Sequence, residues 1–448
     1  MSTTLAILRQ RMSEKLGDWF TSTVTTALAA GTTAIDTTLA NVEGGNTDGT
    51  FESRYIIPTS LANASSQRRV STYTGSSTTM LVTGGNWTSD GTAKATYELH
   101  KVAPAEKTRA LNSAARELYP SLHRKIKDRS VVTGNVLPDF NWWTSSSVHK
   151  FYSTTNLTSI ARTSPTSAIF THGERYAALA TASAADGYMY LSSFTYPWLL
   201  DLQGQSVSAY VWVVPHKVND VFITIYTMGN DGTTTQTLNS TTTCAVSQPT
   251  LLKLENQTLN TDLAEVQIRF RIHTISETAY FMSPRLVGKQ DVYDYMLPEL
   301  LQDGSVRQVR LQVTGFSTDK CDDLGLVDWA ELFGWKTIMM DVGGTNYKGL
   351  HIPSYQPQKR RLELTGIAPL EDTLSADTDT MDIDDPKTEA VVAWANMLLY
   401  EIRRGVVSSQ TTDKYNSELN YWRSRAEELK RKHRMIPPSK QIGWTING

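Results

Sequence analysis

The sequence predicts a multidomain α+β protein in which a helical and small-sheet domain is interrupted by an inserted antiparallel β-sandwich. Three observations predict it. The chain has 448 residues, more than one core usually organises. From Val136 to Val287 almost every segment alternates apolar and polar residues with a period of two. Amphipathic helical patterns stand on both sides of that run.

Residues 3–20 read as a helix, with Leu5, Leu8, Met12, Leu16 and Trp19 at helical spacing. That apolar face fits its own domain or a neighbouring subunit equally well. Over 21–100, Val70–Tyr73, Thr79–Val82 and Tyr97–Leu99 look like short strands punctuated by Gly44-Gly45, Gly84-Gly85 and Gly91, which predicts a small sheet or barrel. Pro104 opens a second helix, with Leu111, Ala114, Ala115 and Leu118 as its apolar face. The cations that follow Pro120 (His123, Arg124, Lys125, Lys127, Arg129) read as a solvated helix end.

Within the sandwich, Ser208–Val214, Val221–Tyr226 and Val266–Ile272 alternate most clearly. Beyond it, Val309–Val313 and Arg361–Leu364 read as strands, and Asp328-Trp329 to Trp335 as a short helical turn. An acidic stretch, Glu371–Asp385, reads as a solvated loop. Asp385-Pro386 then caps a helix carrying Val391, Trp394, Ala395, Leu398, Leu399 and Ile402, which Gly405 stops. A last helix with Tyr415, Leu419, Trp422, Ala426 and Leu429 completes a hairpin. The expected domains are 1–133, the sandwich at 134–288, a mixed β segment at 289–370 that belongs with the outer domain, and a helical hairpin and tail at 371–448.

The formal net charge of −2 lacks the basic excess of a protein that binds nucleic acid mainly through phosphates. No apolar run reaches the length of a membrane span, so no membrane partner is expected. Charges at Arg9, Arg11, Glu14 and Lys15 interrupt any signal-peptide core. Cys244 and Cys321 need not pair. Neither a nucleophile elbow nor a phosphate-loop Gly-Lys-Ser/Thr occurs, the eight histidines lack metal spacing, and no catalytic role is expected. Asp341–Asn346 has the glycines of a sugar-kinase phosphate loop, but reads as a hairpin turn. The acids Asp377, Asp379, Asp382, Asp384 and Asp385 lack the glycine and terminal glutamate of a calcium loop.

The segment from Asn135–Trp143 through Tyr188–Leu191 and Leu202–Trp212 to Ala279–Leu286 resembles, in order and spacing, the jelly-roll carbohydrate-binding modules. Sugars offer flat apolar faces to aromatic rings. The resemblance therefore implies glycan-binding candidates at Trp142, Trp143, Trp198 and Tyr188, with Tyr190, Tyr210, Trp212 and Tyr226 as further rings. In Tyr210-Val211-Trp212, alternation puts both rings on one face. Family members often hold a structural calcium through an acid near the final strand. Ser283 stands in that neighbourhood here, which argues against the calcium, and no cofactor is expected.

The outer segments resemble the head-to-tail connector (neck or adaptor) subunits of tailed phages. They share a short N-terminal helix before a threonine- and glycine-rich sheet, the helix Ala105–Tyr119, and a late helical pair from Pro386. This resemblance implies a virion structural protein assembled in the host cytoplasm. Its partners would be further copies in a dodecameric ring, the portal and tail proteins, and DNA passing through the channel without sequence-specific contacts. The jelly roll would project outward towards surface glycans. The alternatives are a glycan-binding tail or receptor-binding component and, with no separate catalytic domain to support it, an accessory module of a polysaccharide-degrading enzyme.

Overall fold

The computed structural model describes residues 2–138, 151–163, 177–240, 244–289, 292–313, 329–342, 345–354, 356–404 and 412–438. Its helices are α1 (Leu5–Leu16), α2 (Pro104–Glu117), α3 (Glu299–Gln302), α4 (Thr388–Arg404) and α5 (Thr412–Lys432). The chain forms two units. The first joins Met1–Arg124 to Ala368–Ile436, and the second holds Lys125–Ile367.

In the first unit, Thr4 caps α1 by accepting from the Ile7 N–H, and Gly17 ends it in the left-handed region at φ 63°. The helix therefore stops short of Trp19, which opens a strand instead. Leu8 and Met12 of α1, Leu111 and Ala114 of α2, Val391 and Trp394 of α4, and Leu419 and Trp422 of α5 share one apolar cluster. The small sheet has six strands in the order Trp19–Thr23, Thr96–His100, Tyr55–Pro58, Arg68–Thr74, Thr79–Thr83 and Thr33–Ile35. Phe51, Tyr73, Trp87 and Tyr97 fill its own core.

The acidic stretch is not merely solvated. Asp377 accepts from Arg9 Nη1 at 2.7 Å, and Asp385 from Arg11 Nη2 at 2.7 Å, so two arginines of α1 take up its charge. Asp379 is spent on the backbone of Ser375 and Ala376.

In the second unit, ten strands make two antiparallel sheets. One runs Leu157–Thr163, Ala177–Ala182, Thr278–Val287, Ser206–Pro215, Thr250–Thr258. The other runs Thr235–Asn239, Val221–Gly229, Leu263–Ile272, Gly187–Ser192, Ser153–Thr155. Leaving out the two edge strands Ser153–Thr155 and Leu157–Thr163, and counting the other eight along the chain, the orders are 1-8-3-6 and 5-4-7-2, which is a jelly roll. Val211, Val213, Ile223, Ile225, Ile268, Phe270 and Phe281 fill the space between the sheets. Ser283 sits at φ 46° in the last strand, where the register with Ser206–Pro215 shifts.

Three expectations change here. The basic run after Pro120 is a strand, Arg124–Asp128, hydrogen-bonded beside Leu362–Ala368. Its cations meet a carboxylate: Glu363, 1% exposed, lies 2.9 Å from Lys127 Nζ and 2.7 Å from Arg129 Nη2. Trp329–Glu331 is likewise a strand, not a helical turn, because it pairs Gln312 with Trp329 on the edge of the same four-stranded sheet. The segment after the sandwich groups with the sandwich rather than with the outer domain. Packing accounts for this: Met296 joins the sandwich's own core, and Met340 and Tyr347 pack against it.

Two stability measurements follow. Asn396 on α4 is fully buried, and neither amide atom finds a hydrogen-bond partner among the described residues. An unpaired buried amide costs about 1–3 kcal/mol, so Asn396→Leu is expected to raise Tm in calorimetry, and a fall would show that the amide is satisfied. Burial pushes the Glu363 carboxyl up, but Lys127 and Arg129 outweigh it and leave it below the ordinary glutamate value. Its contribution is therefore present above about pH 4.3 and is lost as pH falls through the folded value. Glu363→Gln is expected to cost about 1 kcal/mol near neutrality, because Lys127 and Arg129 are partly exposed, and less in acid, as read by denaturant titration at both pH values.

Candidate functional site

Alternation gives each sandwich strand one face for the core and one for the outside. In Gly187–Ser192, Met189 and Leu191 go inward, so Tyr188 and Tyr190 point out. In Leu263–Ile272, Val266, Ile268, Phe270 and Ile272 go inward, which turns Glu265, Gln267, Arg269 and Arg271 out. In Val221–Gly229, Ile223 and Ile225 go inward, leaving Phe222, Thr224 and Tyr226 outside. Register then places these side chains in rows. Tyr190, Arg269 and Thr224 form one row, and Tyr188, Arg271 and Phe222 the next. Tyr226 lies opposite Gln267.

The result is a half-buried aromatic face with an arginine at its centre. The Arg269 guanidinium lies 4.9 Å from the Tyr188 ring centroid and 4.1 Å from that of Tyr226. Tyr188 and Tyr190 are 5.5 Å apart, tilted at 58°. A polar relay along the arginine's own strand, anchored by Ser192 of the neighbouring strand, orients it. Ser192 Oγ donates to Glu265 Oε1 at 2.9 Å, Gln267 Nε2 donates to the same oxygen at 2.5 Å, and Arg269 Nε donates to Gln267 Oε1 at 2.7 Å.

The second arginine is neutralised. Arg271 Nη2 donates to Asp186 Oδ1 at 2.7 Å, and His273 Nδ1 stands 2.8 Å from the same oxygen. The hydrogen bond from His273, with that from Arg271, holds the Asp186 carboxyl below the usual aspartate value. Among the described residues, Arg269 makes no such ion pair.

Of the predicted site residues, Tyr188 belongs to this face. Trp198 does not join it. It sits in the turn Pro197–Leu202, half-buried against the sandwich core, with its ring 5.0 Å from Tyr196. It helps line a cavity of about 390 Å³ with Pro138, Tyr293, Met296 and Met340. Trp142 and Trp143 lie outside the described residues. Tyr210 and Trp212 share a face as expected, on the outside of the other sheet. Tyr210 is only 5% exposed there, with Lys359 Nζ 5.7 Å from its ring centroid.

The strands flanking residues 343–344 pair with Val342 opposite Thr345, the register of a two-residue hairpin. Among the described residues no group of three or more His, Cys, Asp or Glu side chains is placed to hold a metal ion. Gln267, Arg269 and Arg271 were missed from sequence, although the alternation Val266–Ile272 already put all three on one side.

No protein-family model matches the chain, and no curated protein matches it. Solved structures do. The CBM22-1 xylan-binding domain of Paenibacillus barcinonensis Xyn10C is 13% identical, with 38% of this chain and 99% of that domain covered and a TM-score of 0.27. The CBM22-1–CBM22-2 tandem domain of the same protein is 9% identical, covering 58% of this chain and 96% of that one, with a TM-score of 0.27. The enzymatically active domain of bacteriophage CBA120 tailspike protein 4 is 9% identical over 36% of this chain and 21% of that one, with a TM-score of 0.25.

Proposed function

We propose that this protein is a glycan-binding component of a phage particle, with sugar held on the Tyr188–Arg269–Tyr226 face of its jelly roll, and that it binds rather than catalyses. The observation that carries this reading is the face itself. Tyr188 and Tyr226 flank a fixed guanidinium on regular strands, with Tyr190 beside Tyr188, and among the described residues no hydroxyl of the three makes a hydrogen bond. Rings take the apolar faces of a sugar, while hydroxyls and guanidinium N–H groups take its oxygens. A shallow face of this kind gives about 4–8 kcal/mol, which corresponds to millimolar to micromolar affinity.

Affinity electrophoresis of the full chain across a polysaccharide panel tests the reading. Tyr188→Ala and Tyr226→Ala are each expected to weaken retention about tenfold with little change in Tm, because both rings are partly exposed. Trp198→Ala should do the reverse, lowering Tm while leaving retention intact. Retention indifferent to both tyrosines would sink the assignment.

A head-to-tail connector role for the first unit is the second reading. In its favour is the discontinuity: 1–124 and 368–436 build one helical and small-sheet unit around an inserted stretch of chain. That role requires a closed ring of identical subunits. Electron microscopy of the particle checks it, and finding the protein only as monomers at fibre tips would rule it out.

A further inference from the structure

We infer that the glycan is acidic, and that Arg269, positioned by Gln267, takes the carboxylate of a uronate residue; this rests on the glycan-binding reading above. The two outward arginines of the strand Leu263–Ile272 are treated differently by their surroundings. Arg271 already holds a carboxylate, Asp186. Among the described residues Arg269 does not, although Glu265 stands on the same face four residues away. Glu265 is 7% exposed, and its carboxylate accepts from Ser192 and Gln267. Between Glu265 and Arg269 the structure places a neutral amide that accepts from Nε and, among the described residues, from Nε alone.

An arginine has five N–H donors. With Nε committed to Gln267, those on Nη1 and Nη2 remain for a ligand. The guanidinium plane is held between Tyr188 and Tyr226, so much of the ordering cost of a bidentate bond is met before binding. A planar carboxylate is the group that such a fork fits. The neighbouring rings supply stacking for the sugar that carries it.

The test compares polygalacturonate with the same polymer fully methyl-esterified, which keeps the ring and removes the charge. Affinities of the full chain are measured by calorimetry, with dextran sulfate as a third probe. The acidic polymer is expected to bind at least about tenfold tighter than the ester. Arg269→Gln should bring the two together by weakening only the acidic arm. Gln267→Glu, which sets a carboxylate against Arg269, should also abolish the preference while Arg269→Lys keeps part of it, and near-UV circular dichroism shows that each variant is folded. Equal binding of acid and ester, or binding of neutral glycans alone, overturns the acidic assignment and leaves the glycan reading standing. Dextran sulfate bound as tightly as polygalacturonate, with both lost at moderate salt, makes the face a general polyanion surface and overturns the carboxylate site. Binding of none of the probes, nor of any neutral glycan, brings down the glycan reading as well.

Discussion

The pairing of the strand Arg124–Asp128 with the strand Leu362–Ala368 is the constraint on which the rest of the architecture depends. The first carries the chain into the second unit and the other carries it out. The link continues as Leu362 N–H to Val131 C=O and Thr133 N–H to Arg360 C=O, both 2.8 Å. Glu363 sits beneath the pair and gathers Lys127 and Arg129. A stretch of more than two hundred residues thus begins and ends at one place. Closing so long a loop costs little more than closing a short one, since the cost grows only with the logarithm of length. The flanking segments can then form a single core, as the shared apolar cluster of α1, α2, α4 and α5 requires.

That core contains an expensive element. Lys107 is fully buried, and its ammonium donates to Ser13 Oγ at 2.6 Å, Asp18 Oδ1 at 3.0 Å and His100 Nδ1 at 3.1 Å. Burial pushes this lysine down to about 8 against the pull of Asp18. The three partners come from α1, the segment just after it, and the last strand of the small sheet, so satisfying one cation fixes helix and sheet against each other. Arg9 and Arg11 do the same between α1 and the stretch before α4.

In the jelly roll, stability and recognition come from one pattern. Turning Ile268 and Phe270 inward obliges Arg269 and Arg271 to face out. The outward tyrosines come from strands on both sides, so the ring–guanidinium–ring stack exists only once three strands are in register. Being on strands rather than loops, the group is held by the ladder hydrogen bonds beneath it.

The sequence alone determined the period of the longer segments. It located the terminal helices, the long β run, the hairpin pairing of Val342 with Thr345 and the two faces of Tyr210-Val211-Trp212, because these depend on residues within a few positions of one another. It marked Tyr188 as a candidate, and its alternation at Val266–Ile272 held the arginines in plain view. Only the tertiary structure decided which strands are neighbours. That choice makes Arg124–Asp128 a strand rather than a helix end, since Glu363, the residue that makes sense of Lys127 and Arg129, lies more than two hundred positions away in the chain. It likewise separates Tyr188 from Trp198 and gathers Arg269 between Tyr188 and Tyr226. Periodicity records which way a side chain points, whereas proximity across strands is set by the packing of the whole sheet.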